Sequence, residues 1–327
     1  MRGEHVSHAI FLTQESGHIA KVYATAPLHI KNLPLHTTPK NSPQVEFIFS
    51  TWGMPSMSED EVRACFPALK AVFYAAGSVQ HFAKPFLRCG VQVFSAWAAN
   101  AVPVAEFCLA QILLANKGYY QSAAMQKQRK RHKAQTFAQQ QPGNFNAKVG
   151  LIGCGMIGSR TAQLLQPFDV QVLAYDPYLS NERASDLGVT TCSLEELFEC
   201  CNTISNHLPN NTHTQGMLNY ELFKRMLPNA TFINTGRGAQ VVEADLIRAL
   251  KKEPARTAVL DVTEPEPPAR RSPLYILPNV VLTPHIAGST GREVARMGDY
   301  MLTTYADFTA GKPSPHEVTL EMLENMA

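Results

Sequence analysis

The chain has 327 residues, 45% of them hydrophobic and 17% charged, with a formal net charge of +2 at pH 7. That length accommodates two domains. The near-neutral balance gives no reason to expect nucleic acid or an anionic membrane as partner, and polar residues interrupt the apolar stretches short of a membrane span.

In chain order, Met1-Arg2-Gly3-Glu4-His5 leads into a strand-like piece and does not read as a signal sequence. Strand-like runs follow at His8–Thr13, Val45–Ser50, Ala71–Tyr74 and Val91–Ser95. Between them Ser58–Lys70 reads as a helix, with Ser58 as cap and Glu61 completing a capping box. Pro103–Gly118 reads as a long apolar helix, with proline in its first turn and glycine at its end. A polar stretch, Gln121–Asn146, separates it from further strand–helix pairs with strands at Val149–Ile152, Val170–Tyr175, Thr203–His207, Thr231–Asn234, Thr257–Leu260 and Val280–Thr283. Glu293–Ala310 is the last helix. This alternation predicts an α/β protein with parallel sheets.

The most informative run is Gly150–Gly158, in which Gly153, Gly155 and Gly158 give the spacing G-x-G-x-x-G directly after an apolar strand. Gly153 permits a sharp turn, Gly155 leaves room for a pyrophosphate against bare backbone, and Gly158 lets the next helix pack close. That helix would aim its N-terminal N–H groups at the phosphates. Asp176 ends the next strand, 18 positions after Gly158, where a ribose-binding acid belongs. A dinucleotide site follows. It begins near residue 150, so something folded must precede it, and the final helix can return to that first domain.

Ligands of doubly wound sheets bind beyond the carboxyl ends of strands. Three candidates follow strand ends there: Arg237 between two glycines, Glu266, and His285. A guanidinium suits a carboxylate, and a histidine with a carboxylate partner suits proton transfer.

The run Val149–Gly158, the motif Asn234–Gly238, Asp261–Pro267, Pro284–Thr290 and Val104-Ala105-Glu106 together resemble the D-isomer-specific 2-hydroxyacid dehydrogenases, the family of glyoxylate/hydroxypyruvate reductases and phosphoglycerate dehydrogenases. The resemblance runs from about residue 70 to the end of the chain. It implies a Rossmann-type doubly wound sheet, residues 102–291, inserted in a smaller flavodoxin-like α/β substrate domain, residues 1–101 and 292–327. It implies an enzyme that reduces a small 2-oxo acid with NADH, or runs the reverse. Arg237 would bind the carboxylate and keto oxygen. His285 would give the keto oxygen its proton, and Glu266 would hold His285 and favour its protonated form; Glu264 competes, but Glu266 holds the matching position. Gly77, Ser78 and Asn100 would lie along the substrate. NAD contacts would come from Gly153, Gly155, Met156, Ile157, Gly158, Asp176, Leu208, Thr235, Gly236, Asp261, His285 and Gly288. The Pro103–Gly118 helix would dimerise the protein.

Asp176, with Pro177 and Tyr178 beside it, favours NAD(H) over NADP(H). The segment after Val45–Ser50, Thr51-Trp52-Gly53-Met54-Pro55, holds no lysine or arginine, so Trp52 and Met54 would offer an apolar contact to an uncharged side chain such as that of glyoxylate, hydroxypyruvate or pyruvate. Gly77 continues into Ser78-Val79, where family members often have Val-Asp. The basic run Gln126–Lys133 reads as a solvated helical face, His207 and His213 as no metal site, and Cys200-Cys201 as a helix end. The seven cysteines (65, 89, 108, 154, 192, 200 and 201) have no metal or scaffold spacing, as expected of free thiols in the cytoplasm. The alternatives are an NAD(H)-sensing protein resembling the corepressors of this fold, and a phosphoglycerate dehydrogenase.

Overall fold

A computed structural model describes residues 8–325. The N-terminal piece Met1–His5 lies outside the described residues. The chain divides into two compact units, one formed by residues up to Asn100 and from Ser289 onward, the other by Ala101–Gly288.

The first unit holds a six-stranded sheet. Its spatial order is Leu35–His36, Ala9–Leu12, Phe47–Ser50, Ala71–Tyr74, Gln92–Ser95, then Glu317–Val318. The first five are parallel and the last is antiparallel. The parallel strands run 2-1-3-4-5 in chain order, the flavodoxin-like arrangement. Alternate residues serve opposite faces. Phe11, Phe49, Phe73 and Phe94 share one face, where Phe49 and Phe73 stack at 5.2 Å and Phe73 and Phe94 at 5.3 Å. Ile10, Ile48, Val72 and Val93 serve the other. The Ser58 capping box is present, with Glu61 N–H donating to Ser58 Oγ at 3.2 Å. Its helix spans Glu59–Cys65, shorter than the expected run to Lys70, because Pro67 disfavours helical backbone at Phe66.

The second unit holds a seven-stranded, wholly parallel sheet. Its order is Val280–Leu282, Thr257–Leu260, Thr231–Asn234, Thr203–Asn206, Lys148–Ile152, Gln171–Tyr175, Thr190–Thr191. The strand order reverses between Lys148–Ile152 and Thr203–Asn206, which is the switch point of a Rossmann sheet. Register aligns the strand ends: Ile152 with Asn206, Asn206 with Asn234, Asn234 with Leu260, and Leu260 with Leu282. Residues that follow these ends therefore lie along one edge.

The long helix differs from expectation. It spans Trp97–Ala115, so Pro103 lies inside it rather than in its first turn. An interior proline costs about 3 kcal/mol. Burial of Val104, Cys108 and Ile112 offsets that, at roughly 1.5–3 kcal/mol for a large aliphatic side chain. By length and composition this helix is apolar enough to cross a membrane, contrary to the expectation of no such stretch. Half of it is buried inside the fold, and Ile112 joins the core of Val149, Ile233 and Val259. The polar stretch after it forms two helices, Tyr119–Lys127 and Arg131–Gln139. The basic run thus straddles a turn at Arg129, φ 60°, and is not one helical face.

Candidate functional site

The glycine motif forms the expected strand–turn–helix. Gly153 has φ +89°, and its N–H donates to the Tyr175 carbonyl at 2.8 Å. A Cβ on Gly158 would run into the Gly153 carbonyl oxygen, whereas a Cβ on Gly155 would meet nothing within 4 Å. The first observation explains the close helix packing. The second leaves open space in front of the Met156–Leu165 helix, whose first N–H groups have no intrahelical partner. Met156 is exposed, and Ile157 packs on Val104, Cys108 and Ala287. Asp176 accepts the Cys154 N–H at 2.7 Å and the Tyr178 N–H at 2.9 Å. It therefore fastens the glycine turn, and a carboxylate's remaining lone pairs can still accept ribose hydroxyls. These residues fit a dinucleotide.

Beyond the next strand ends lie Leu208, Thr235 and Gly236, all buried, with Thr235 Oγ1 3.2 Å from Cys108 Sγ. Arg237 is partly buried, and its Nη1 donates to the Gly236 carbonyl at 2.8 Å. Burial lowers the guanidinium pKa from its ordinary value, and the charge of Glu266 opposes this. Glu266 Oε1 lies 2.6 Å from His285 Nδ1, both side chains being about half exposed. Nδ1 donates to the carboxylate, which leaves Nε2 as the ring nitrogen for a substrate. Glu266 thus bonds His285, and its charge reaches Arg237. Glu264 is exposed and is not the residue bonded to His285.

Asp261 does something the sequence did not indicate. Its carboxylate accepts Thr283 Oγ1 at 2.6 Å, the Ile286 N–H at 2.8 Å and the Ala287 N–H at 2.9 Å. It is 2% exposed and fixes the loop that carries His285 and leads to Gly288. His285 itself has φ 54°.

Gly77, Ser78 and Asn100 belong to the first unit. There Ser95 Oγ donates to the Gly77 carbonyl at 2.6 Å, and a Cβ on Gly77 would lie 3.7 Å from Asn100 Nδ2. Asn100 Oδ1 accepts the Ser289 N–H at 2.9 Å. The expectation that Met54 lines a substrate surface is corrected. Met54 is 2% exposed in the core, and its carbonyl accepts from His81 Nε2 at 3.0 Å. Trp52 is half-buried, edge-on to His18.

Burial pushes the thiols of Cys108 and Cys192 up to about 11 and that of Cys154 to about 12, which suits inert thiols. Cys200 ends the Leu194–Cys200 helix. His207 is buried and its pKa falls to about 4 through desolvation. Among the described residues no three or more His, Cys, Asp or Glu side chains gather as metal ligands.

Residues 109–287 match the family model of the D-isomer specific 2-hydroxyacid dehydrogenase, NAD binding domain. The D-3-phosphoglycerate dehydrogenase of Mycobacterium tuberculosis is 33% identical over 261 residues, 80% of this chain and 49% of that protein. The chain thus spans about half the length of the curated relatives it matches. Among solved structures, the NADPH-dependent glyoxylate/hydroxypyruvate reductase of Sinorhizobium meliloti, in complex with NADP and sulfate, has a TM-score of 0.76 at 23% identity, covering 95% of this chain and 98% of that one. The NAD-complexed D-isomer specific 2-hydroxyacid dehydrogenase of Lactobacillus delbrueckii has a TM-score of 0.76 at 19% identity, covering 95% and 100%.

Proposed function

The chain belongs to the D-isomer specific 2-hydroxyacid dehydrogenases and carries their NAD binding domain; from that premise we propose that it reduces a small 2-oxo acid with an uncharged side chain to the D-2-hydroxy acid. The observation that carries this reading is the 2.6 Å contact of Glu266 with His285, just beyond the strand ends that also carry Arg237.

Gly153, Gly155, Met156, Ile157, Gly158 and Asp176 would hold NADH, with Leu208, Thr235, Gly236, Asp261 and Gly288 along the same strand edge. When bound, the cofactor supplies the hydride for the keto carbon. The Arg237 guanidinium holds the substrate carboxylate and polarises the keto oxygen. His285 gives that oxygen the proton from Nε2, and Glu266 keeps the ring aligned and balances its charge. In the reverse direction His285 takes the hydroxyl proton. Gly77, Ser78 and Asn100 would complete the hold on the substrate.

The choice of substrate rests on the absence of lysine and arginine from Thr51-Trp52-Gly53-Met54-Pro55, of which only Trp52 and Gly53 are partly exposed. A phosphate buried without one loses several kcal/mol of hydration. Oxidation of 3-phosphoglycerate is the second reading, favoured by the names of the relatives. Comparison of kcat/KM decides: hydroxypyruvate or glyoxylate should exceed the phosphorylated three-carbon oxo acid, and both falling tenfold below it would select the second reading.

We further propose a homodimer built on the Trp97–Ala115 helix. Leu114 is exposed near its end, and Tyr119 is exposed at the start of the next helix, Tyr119–Lys127. They border a hollow of about 540 Å³ with Ala123, Ala134 and Ala138, a surface that a second copy would cover. Light scattering at the monomer mass of 36.1 kDa would contradict it.

A further inference from the structure

Three buried amide side chains form a hydrogen-bonded set beneath the arginine loop. Asn206 and Asn234 end neighbouring strands, directly opposite in register. Gln240 closes the short helical turn Gly238–Gln240. Each is at most 1% exposed.

Their bonds are nearly saturated. Asn206 Nδ2 donates to Asn234 Oδ1 at 3.0 Å and to Gln240 Oε1 at 2.6 Å. Gln240 Oε1 also accepts the Arg237 N–H at 3.2 Å. Gln240 Nε2 donates to the carbonyls of Leu208 at 2.6 Å and Pro209 at 2.8 Å. Asn234 accepts the Gly236 N–H at 3.1 Å and donates to the Arg237 carbonyl at 3.1 Å. Asn206 Oδ1 accepts the Leu208 N–H at 3.3 Å. Both backbone groups of Arg237 and both of Leu208 are thereby held by the same three amides.

A buried amide left unpaired is costly, so such a set is made whole or not at all. The two loops it ties can therefore shift only together. Gly236 is part of the fit, since a Cβ there would lie 2.8 Å from Gln240 Oε1 and 3.1 Å from Asn206 Nδ2.

We propose that Gln240, acting through Asn206 and Asn234, is a positioning residue that locks the Arg237 loop to the Leu208–Pro209 loop, so that the substrate-binding arginine and the cofactor edge are set by one amide network. This inference rests on the reading of Arg237 as the carboxylate-binding residue. Gln240 is buried beneath the loops and is not itself a substrate or cofactor contact.

The test compares Gln240→Leu and Gln240→Glu with the wild type in the full chain. Measured are KM and kcat for the best oxo acid, the NADH Kd by fluorescence, and amide exchange of residues 235–238. Gln240→Leu should raise KM about tenfold, with a smaller fall in kcat. It should also weaken NADH binding and speed exchange at Gly236 and Arg237. A glutamate facing two carbonyls binds its proton more tightly, and when protonated it keeps the donor. The ratio of its KM to that of the wild type should therefore climb with pH. Wild-type KM, Kd and exchange in Gln240→Leu would overturn the proposal. If that variant does not fold, a pH-independent ratio for Gln240→Glu overturns it. A wild type that turns over no 2-oxo acid would instead fail the reading of Arg237, while the Kd and exchange still decide whether the loops are locked.

Discussion

Asp261 holds His285 in a left-handed backbone conformation. The Asp261 carbonyl accepts the His285 N–H at 3.1 Å, and the Asp261 carboxylate accepts the next two N–H groups, of Ile286 and Ala287. A non-glycine residue at φ 54° costs roughly 1–2 kcal/mol. Two bonds to a buried carboxylate contribute roughly 1.5–3 kcal/mol each, so the restraint wins. Asp261→Asn turns one acceptor into a donor that faces an N–H. We predict a loss of about 2 kcal/mol in stability with a tenfold or greater fall in kcat. Thermal unfolding and steady-state kinetics check this; unchanged Tm and kcat would contradict it.

Arg237 should separate charge from shape. Arg237→Lys keeps the cation but loses the two-pronged grip on a carboxylate. We predict that KM for the oxo acid rises on the order of tenfold or more, and that Arg237→Ala lowers kcat as well. NADH affinity should change little in the lysine variant. A lysine variant with wild-type KM would remove Arg237 from the substrate.

Asp176 sets the cofactor preference. Its repulsion of a 2′-phosphate, roughly 2–3 kcal/mol, predicts about a fiftyfold preference for NADH over NADPH. Asp176→Ser should shrink that preference below about fivefold and weaken NADH binding, because the carboxylate also fastens Cys154. Equal kcat/KM with the two cofactors in the wild type would refute the assignment.

Much of this was legible in the sequence because it depended on local rules. The glycine turn needs three glycines at fixed spacing, and the buried strands are short unbroken apolar runs. Arg237, Glu266 and His285 stood out because each is polar just beyond such a run. What escaped depended on tertiary partners. Trp97–Asn100 continues the long helix, but Pro103 reads as a first-turn residue. The two-residue strands Leu35–His36, Thr190–Thr191 and Glu317–Val318 are too short to show a period. Met54 reads as a loop residue, yet the core covers it. Asn206 and Gln240 pair across 34 positions, a separation that no local pattern marks.

His207 gives a pH prediction. Its folded-state pKa of about 4 lies below the ordinary 6.5, so the unfolded chain binds the proton first as pH falls. Stability attributable to neutral His207 is complete above pH 6.5 and is lost as pH drops toward 4. At pH 5 the loss is about 2 kcal/mol. His207→Gln should flatten the stability curve over this window. Identical pH dependence in variant and wild type would contradict it.

The most direct test is a single assay. Wild-type protein and His285→Ala are mixed with NADH and hydroxypyruvate or glyoxylate, and NADH loss is followed alongside chiral analysis of the product. The wild type should form the D-2-hydroxy acid, or glycolate from glyoxylate, one per NADH consumed. His285→Ala should bind NADH normally but turn over about 10²–10⁴ times more slowly. Parental turnover by His285→Ala, or an L-product, would contradict this.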